Sequence, residues 1–155
     1  MTFAKYEYER EGTGHGMYIE MIHTLHLKSG KELKNNDIFK SHSLDKVKMK
    51  LFEVIANDQH YLARHDSVKN PCEIEKRFVA WQSILKGKEW EGHERDIKIE
   101  LPNGALTDSG VVFSFQPYEI DCWAAGAYHF IVPYKQLMSY MTLKAKRLIG
   151  TSKSK

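Results

Sequence analysis

Two acids and a phenol stand together at Tyr118, Glu119 and Asp121, directly after Pro117. If that segment is extended, Glu119 and Asp121 share one side, because strand side chains alternate with a period of two. Paired carboxylates are what a glycosidase needs, held at a set separation across a cleft. The same pair also suits a turn or a solvated edge, and Glu119 could accept backbone N–H bonds at a corner between strands. His15 lies within Gly12-Thr13-Gly14-His15-Gly16. Imidazole titrates nearest neutrality, so a His raised on a turn could act as a base or contact a ligand. It could also tuck under the adjacent sheet and bond a backbone group. An independent hydrolase would use His15 with Glu119 or Asp121, and it requires those side chains to converge in one pocket.

The remaining reactive residue types are less organised. Cys72 and Cys122 are 50 positions apart and lack the paired spacing of a zinc or redox site. Two buried thiols are the expected state, with a disulfide in an oxidising compartment as the alternative. Cys122 follows no evident cation, and Ser109 and Ser114 lack the G-x-S-x-G elbow of a serine nucleophile. Among the eight histidines, His23 and His26 differ by an odd number within a strand pattern and so point to opposite faces. No HExxH, HxH or Asp-rich loop occurs, so neither a metal nor another cofactor is expected. Trp90 sits among polar neighbours, Lys88-Glu89-Trp90-Glu91-Gly92, where an exposed indole would suit a protein or glycan contact.

The elements that must carry these residues follow from periodicity. Alternation over Phe3 to Glu9 and Met17 to Leu27, joined through the Gly-rich stretch, predicts two strands, and Lys28-Ser29-Gly30-Lys31 predicts a turn. A helix is expected from Leu44, capped by Ser43, with Val47, Leu51, Val54 and Ile55 on its inner stripe. Asn70-Pro71 caps and opens a second, with Ile74, Phe78, Trp81 and Leu85 inward and Gly87 ending it. Ile97, Ile99 and Leu101 alternate, Pro102-Asn103-Gly104 reads as a turn, and Val111, Phe113 and Phe115 alternate again, which predicts a hairpin. Tyr128 to Val132 forms a further strand, and Pro133 opens a last helix through Tyr134, Leu137, Met138, Met141, Ala145 and Leu148. The order favours an α+β fold in which two middle helices and one C-terminal helix pack on a mixed or antiparallel sheet. It comprises a single domain over 1–150, with a disordered basic tail over 151–155, and the termini and Lys86 to Arg95 are the expected mobile segments.

Composition narrows the class. With 155 residues, 42% of them hydrophobic and 28% charged, the chain is an ordinary globular sequence able to bury one core. A net charge of +3, mixed along the chain, does not point to nucleic acid. No apolar run approaches the roughly 20 residues of a membrane span. The start, Met1-Thr2-Phe3-Ala4-Lys5, lacks the pattern of a secretory signal.

From Leu106-Thr107-Asp108-Ser109-Gly110-Val111-Val112-Phe113-Ser114-Phe115-Gln116-Pro117-Tyr118-Glu119-Ile120, through Ala124-Ala125-Gly126, to Ile131-Val132-Pro133-Tyr134, the chain resembles a known family. This is the C-terminal domain shared by the anti-sigma factor RsiV and the peptidoglycan deacetylase PdaC. Gly12-Thr13-Gly14-His15-Gly16, Ser29-Gly30-Lys31-Glu32-Leu33 and Asp37-Ile38-Phe39 are similar to further motifs of that family, so the likeness extends over about residues 6 to 148. His26 stands where the family usually has Asp, and Cys122-Trp123 where it has Pro-Tyr. The resemblance implies a fold like a subdomain of the heat-shock-cognate ATPase, an extracytoplasmic place in the cell envelope, and a non-catalytic role in binding. The implied partner is a protein, lysozyme being the one sensed by RsiV, or a cell-wall glycan; an accessory domain of a carbohydrate deacetylase is the alternative. The ligand contacts would fall on His15, Trp90, Tyr118, Glu119 and Asp121. Because the family's usual companion domain is not part of this chain, Phe3 to Glu9 is expected to leave a sheet edge open to a second copy, giving a homodimer.

Overall fold

The computed structural model describes residues 1–9, 17–65, 70–86 and 98–152. Strands β1 (Thr2–Glu9), β2 (Met17–His26) and β3 (Lys31–Glu32) make one antiparallel sheet in the order β1-β2-β3. Strands β4 (Gly104–Leu106), β5 (Gly110–Phe115) and β6 (Tyr128–Pro133) make a second in the order β4-β5-β6. Between them in sequence run α1 (Asn35–Ile38), α2 (Leu44–Ile55), α3 (Gln59–Leu62) and α4 (Pro71–Lys86); α5 (Tyr134–Leu137) and α6 (Leu143–Ser152) follow β6. The fold is α+β, as the element order predicts, with the strands divided between two small sheets.

The core lies between the second sheet and α2 and α4. Val47, Leu51, Phe52 and Ile55 of α2 and Ile74 and Phe78 of α4 are fully buried, as the helical stripes require. They meet Phe113 and Phe115 of β5 and Phe130 and Val132 of β6. Phe78 stands edge-on to Phe52 at 5.6 Å and to Phe115 at 5.5 Å, the geometry that the ring quadrupoles favour. Each such ring taken out of water stabilises the fold by roughly 2–3 kcal/mol.

Side chains join the two sheets where no strand does. The Thr24 hydroxyl accepts from Leu106 N–H at 2.8 Å, and the Thr2 hydroxyl donates to Leu106 C=O. Gln116, just past β5, accepts from Glu20 N–H at 2.8 Å and donates to Glu20 C=O at 2.5 Å. Its amide thus completes the far edge of β2 as a neighbouring strand would.

Several local expectations are corrected. The hairpin is shifted: residues 98–103 form no strand, and Gly104, expected in the turn, opens β4. It is glycine because a Cβ there would lie 2.6 Å from Val111 Cγ1. The Asn35 amide holds the approach to it, bonding Leu101 C=O, Pro102 C=O and Gly104 N–H. The reversal falls instead at Thr107–Gly110, where the Thr107 hydroxyl bonds both Gly110 N–H and C=O. The last helix is broken after Leu137: Met141 bridges to Phe39, and Thr142, bonded to Ile38 and Asp37, caps α6 through Ala145 N–H. Ser43 makes no side-chain cap, since it ends a 3-10 turn, Ser41–Ser43, and is itself buried. The thiols are free and not both buried: Cys72 is exposed on α4 and Cys122 half-buried. By contrast Asn70 caps α4 through Glu73 N–H, with Pro71 in the first turn, as expected. Gly87 and most of Lys86 to Arg95 lie outside the described residues.

Candidate functional site

The corner between β5 and β6 carries Tyr118, Glu119 and Asp121. Tyr118 has φ 71°, a left-handed conformation that costs a non-glycine residue energy. Its carbonyl accepts from the Trp81 indole at 2.9 Å, and its N–H donates to Asp121 C=O at 3.0 Å, so the reversal is held from both sides. The segment is therefore not extended, and the two carboxylates have separate surroundings. Glu119 accepts from Gln116 N–H at 2.6 Å, closing its own turn. Although the residue is exposed overall, desolvation at its carboxylate raises its pKa, opposed by that N–H.

Asp121 is buried and receives donors from three elements. Arg64 Nε and His65 Nε2 each lie 3.1 Å from Oδ2, the Tyr128 hydroxyl donates to the same oxygen at 2.8 Å, and Cys122 N–H donates to Oδ1 at 2.7 Å. Burial alone would raise the carboxyl, but Tyr128, Cys122 N–H, Arg64 and His65 together hold it down to about 2. Tyr128 moves the other way, through burial and the adjacent carboxylate. Arg64 Nη2 also reaches Cys122 Sγ at 3.5 Å, a cation that the local sequence did not reveal. These contacts make Asp121 the anchor of the corner onto the segment after α3.

A second polar chain crosses the sheets. Ser114 Oγ lies 2.9 Å from His129 Nδ1, and His129 Nε2 lies 3.0 Å from Glu20 Oε2. Hydroxyl, imidazole and carboxylate in this order can pass a proton. The nearby Gln116 amide engages the Glu20 backbone through its oxygen and one of its N–H groups. His23 and His26 separate as their spacing predicts: His23 bonds Glu32 at 2.6 Å and His26 bonds Ser29 at 2.9 Å. Among the described residues, no three His, Cys, Asp or Glu side chains come together to hold a metal ion.

A concave surface lies elsewhere, at the junction of the sheets with α6. It is an open groove of about 790 Å³. Leu25, Leu33, Leu106, Leu148 and Ile149 give it an aliphatic floor, while His26, Lys28, Thr107 and Asp108 supply polar groups at its margin. Leu27 and Met1 also line it and keep 72% and 65% of their surface in water. Tyr134 enters from α5 and donates its hydroxyl to Thr107 C=O at 2.6 Å; burial raises its pKa to about 12.

Among the described residues, none of the anticipated contact residues lines this groove. Tyr118, Glu119 and Asp121 are at the opposite connection of β5, and His15 and Trp90 lie outside the described residues. Sequence reasoning missed the groove because its walls come from six separate segments. The one local signal was Leu27, an aliphatic residue placed directly against a polar turn.

The fold and groove define an α+β domain of two stitched antiparallel sheets with an open cleft of mixed aliphatic and polar lining at their common end. The chain belongs to the family described as Protein of unknown function (DUF3298), whose sequence pattern matches residues 36–135. A solved member of that family from Bacteroides fragilis is similar over 99% of this chain and 52% of its own, at 19% identity and a TM-score of 0.68. A family protein from Pseudomonas aeruginosa is similar over 93% of this chain and 56% of its own, at 14% identity and a TM-score of 0.57. The chain thus spans about half the length of the solved structures it matches, and at these identities the likeness is one of fold. No curated protein matches the chain.

Proposed function

We propose that this domain is a non-catalytic recognition module of a cell-envelope protein, and that it binds a protein partner through the groove between the sheets and α6. The observation that carries this reading is the pair of large apolar side chains, Leu27 and Met1, exposed beside an aliphatic floor. Such a surface gains most by covering apolar groups, whereas a glycan site is better served by aromatic platforms and dense hydrogen bonding. The resemblance to the RsiV and PdaC C-terminal domains supports an extracytoplasmic setting and nominates lysozyme as the first protein to test, with cell-wall glycan as the rival ligand.

Calorimetric titration of the whole chain with lysozyme and, separately, with soluble peptidoglycan fragments tests the proposal. Heat with lysozyme, and a loss of roughly tenfold or more in affinity for Leu27→Asp with the fold intact by circular dichroism, is the expected result. Binding of the fragments alone would replace the protein by the glycan. Silence with both would remove both named ligands.

A further inference from the structure

Helix α6 has two unlike sides, and its sequence assigns them. At about 100° per residue, Ala145 lies almost opposite Leu143. Ala145 is 1% exposed and Leu143 73%, so Leu143 stands at the middle of the outward side. Leu148 and Ile149, turned the other way, line the groove. Lys146 and Arg147 fall within about 60° of Leu143, and Lys144 adjoins it and is exposed.

The chain enters this helix from α5 with the same combination. Lys135 and Met138 are three residues apart, a spacing that puts helical side chains on one side, and both are exposed, Met138 by 41%. Lys40 adds a cation at the reversal by donating from Nζ to Ser139 C=O at 2.8 Å. Asp37, which Lys144 approaches at 3.7 Å, already pairs with Lys31 at 3.1 Å, so one acid is shared between two lysines. From Cys122 to Lys155 the sequence contains no acidic residue.

We infer that the outward side of α5 and α6 docks on an anionic lipid bilayer, with Leu143 and Met138 entering the headgroup region and Lys40, Lys135, Lys144 and Lys146 meeting lipid phosphates. Exposed aliphatic side chains flanked by lysines, on a helix without acids, are the pattern of a segment that lies in the membrane interface. The apolar groups leave water while the long lysine stems keep each ammonium at the level of the phosphates. Phosphate contacts alone would use the cations and leave the apolar pair in water, whereas an anionic bilayer offers phosphates with an apolar layer directly beneath them. The groove uses the opposite side of α6, so a partner seated there does not compete with the lipid.

Co-sedimentation of the whole chain with vesicles of phosphatidylcholine alone, and of equal parts phosphatidylcholine and phosphatidylglycerol, tests this. Partition onto the anionic vesicles only is expected, weakened by added salt because the attraction is screened. Each lysine neutralised near the surface costs about fivefold, so Lys135→Gln with Lys146→Gln should lose about 25-fold. Lys76→Gln, exposed on α4, should bind as the wild type does. Leu143→Ser should lose about tenfold, the worth of one aliphatic side chain taken out of water. Leu143→Trp should bind and shift its emission to the blue relative to the wild type on the same vesicles. A folded chain that stays in the supernatant with anionic vesicles overturns the inference, as does equal binding to both vesicle types. So does a loss in Lys76→Gln as large as in the lysine pair, or an unshifted indole in bound Leu143→Trp. Should either Leu143 variant fail to fold by circular dichroism, the lysine variants decide.

Discussion

Asp121 shows how a residue with the chemistry of a catalyst can be engaged by architecture. Arg64, His65 and Tyr128 converge on its Oδ2, and Cys122 N–H bonds Oδ1. Its carboxyl is held at about 2 against an ordinary 3.8, so it contributes stability above about pH 4 that disappears as pH falls through the interval between those values. That contribution is about 2 kcal/mol. Asp121→Asn should therefore lower stability to urea near neutral pH by about this amount and flatten the loss of stability below about pH 4. An acid-unfolding curve that keeps its wild-type slope in the variant would assign the acid sensitivity to other carboxylates. Glu119 has the opposite sign: its raised pKa means that ionisation at neutral pH opposes folding, and Glu119→Gln, which keeps an acceptor for Gln116 N–H, should not reduce stability.

At the level of elements, the amide of Gln116 takes the place of a strand, and its removal is the sharpest test of how the sheets are joined. Gln116→Ala leaves both Glu20 backbone groups without their partner and should cost about 2 kcal/mol in denaturant unfolding, with faster exchange of the Glu20 amide. An unchanged exchange rate there would mean that the bond is not formed in solution. Such junctions explain what was legible in the sequence. Stripes such as Val47, Leu51 and Ile55 and alternations such as Val111, Phe113 and Phe115 are local, and they identified helices and strands correctly. The dipeptide Asn103-Gly104 gave a false turn, because Gly104 answers to Val111 and Phe113 packed against it rather than to a reversal. The joining residues were also illegible, since Arg64 with Asp121, Asn35 with Gly104 and Glu20 with His129 are each more than 50 positions apart. Nothing in a local pattern signals a bond of that span.

Taken whole, the molecule is unequal in its two sheets, and this bears on the proposed binding at the groove. The second sheet is embedded: Val111, Phe113, Phe130 and Val132 are at most 2% exposed against α2 and α4. The first is attached mainly by polar bonds, and Thr24 is the buried residue that β1 and β2 provide among their described side chains. Apolar burial sets the free energy of local opening, so β1 and β2 should open together without global unfolding. Hydrogen exchange followed by mass spectrometry is expected to show their amides exchanging well before those of β5 and β6. The groove takes walls from both parts, Leu25 and Leu27 from the first and Leu106 and Leu148 from the rest, so a ligand seated in it binds only the closed form. Occupancy at a hundred times the dissociation constant should then slow exchange in β1 and β2 by about a hundredfold, up to the limit set by global unfolding. Equal protection in the two sheets of the free chain would contradict this division, because the first sheet would then share the stability of the core.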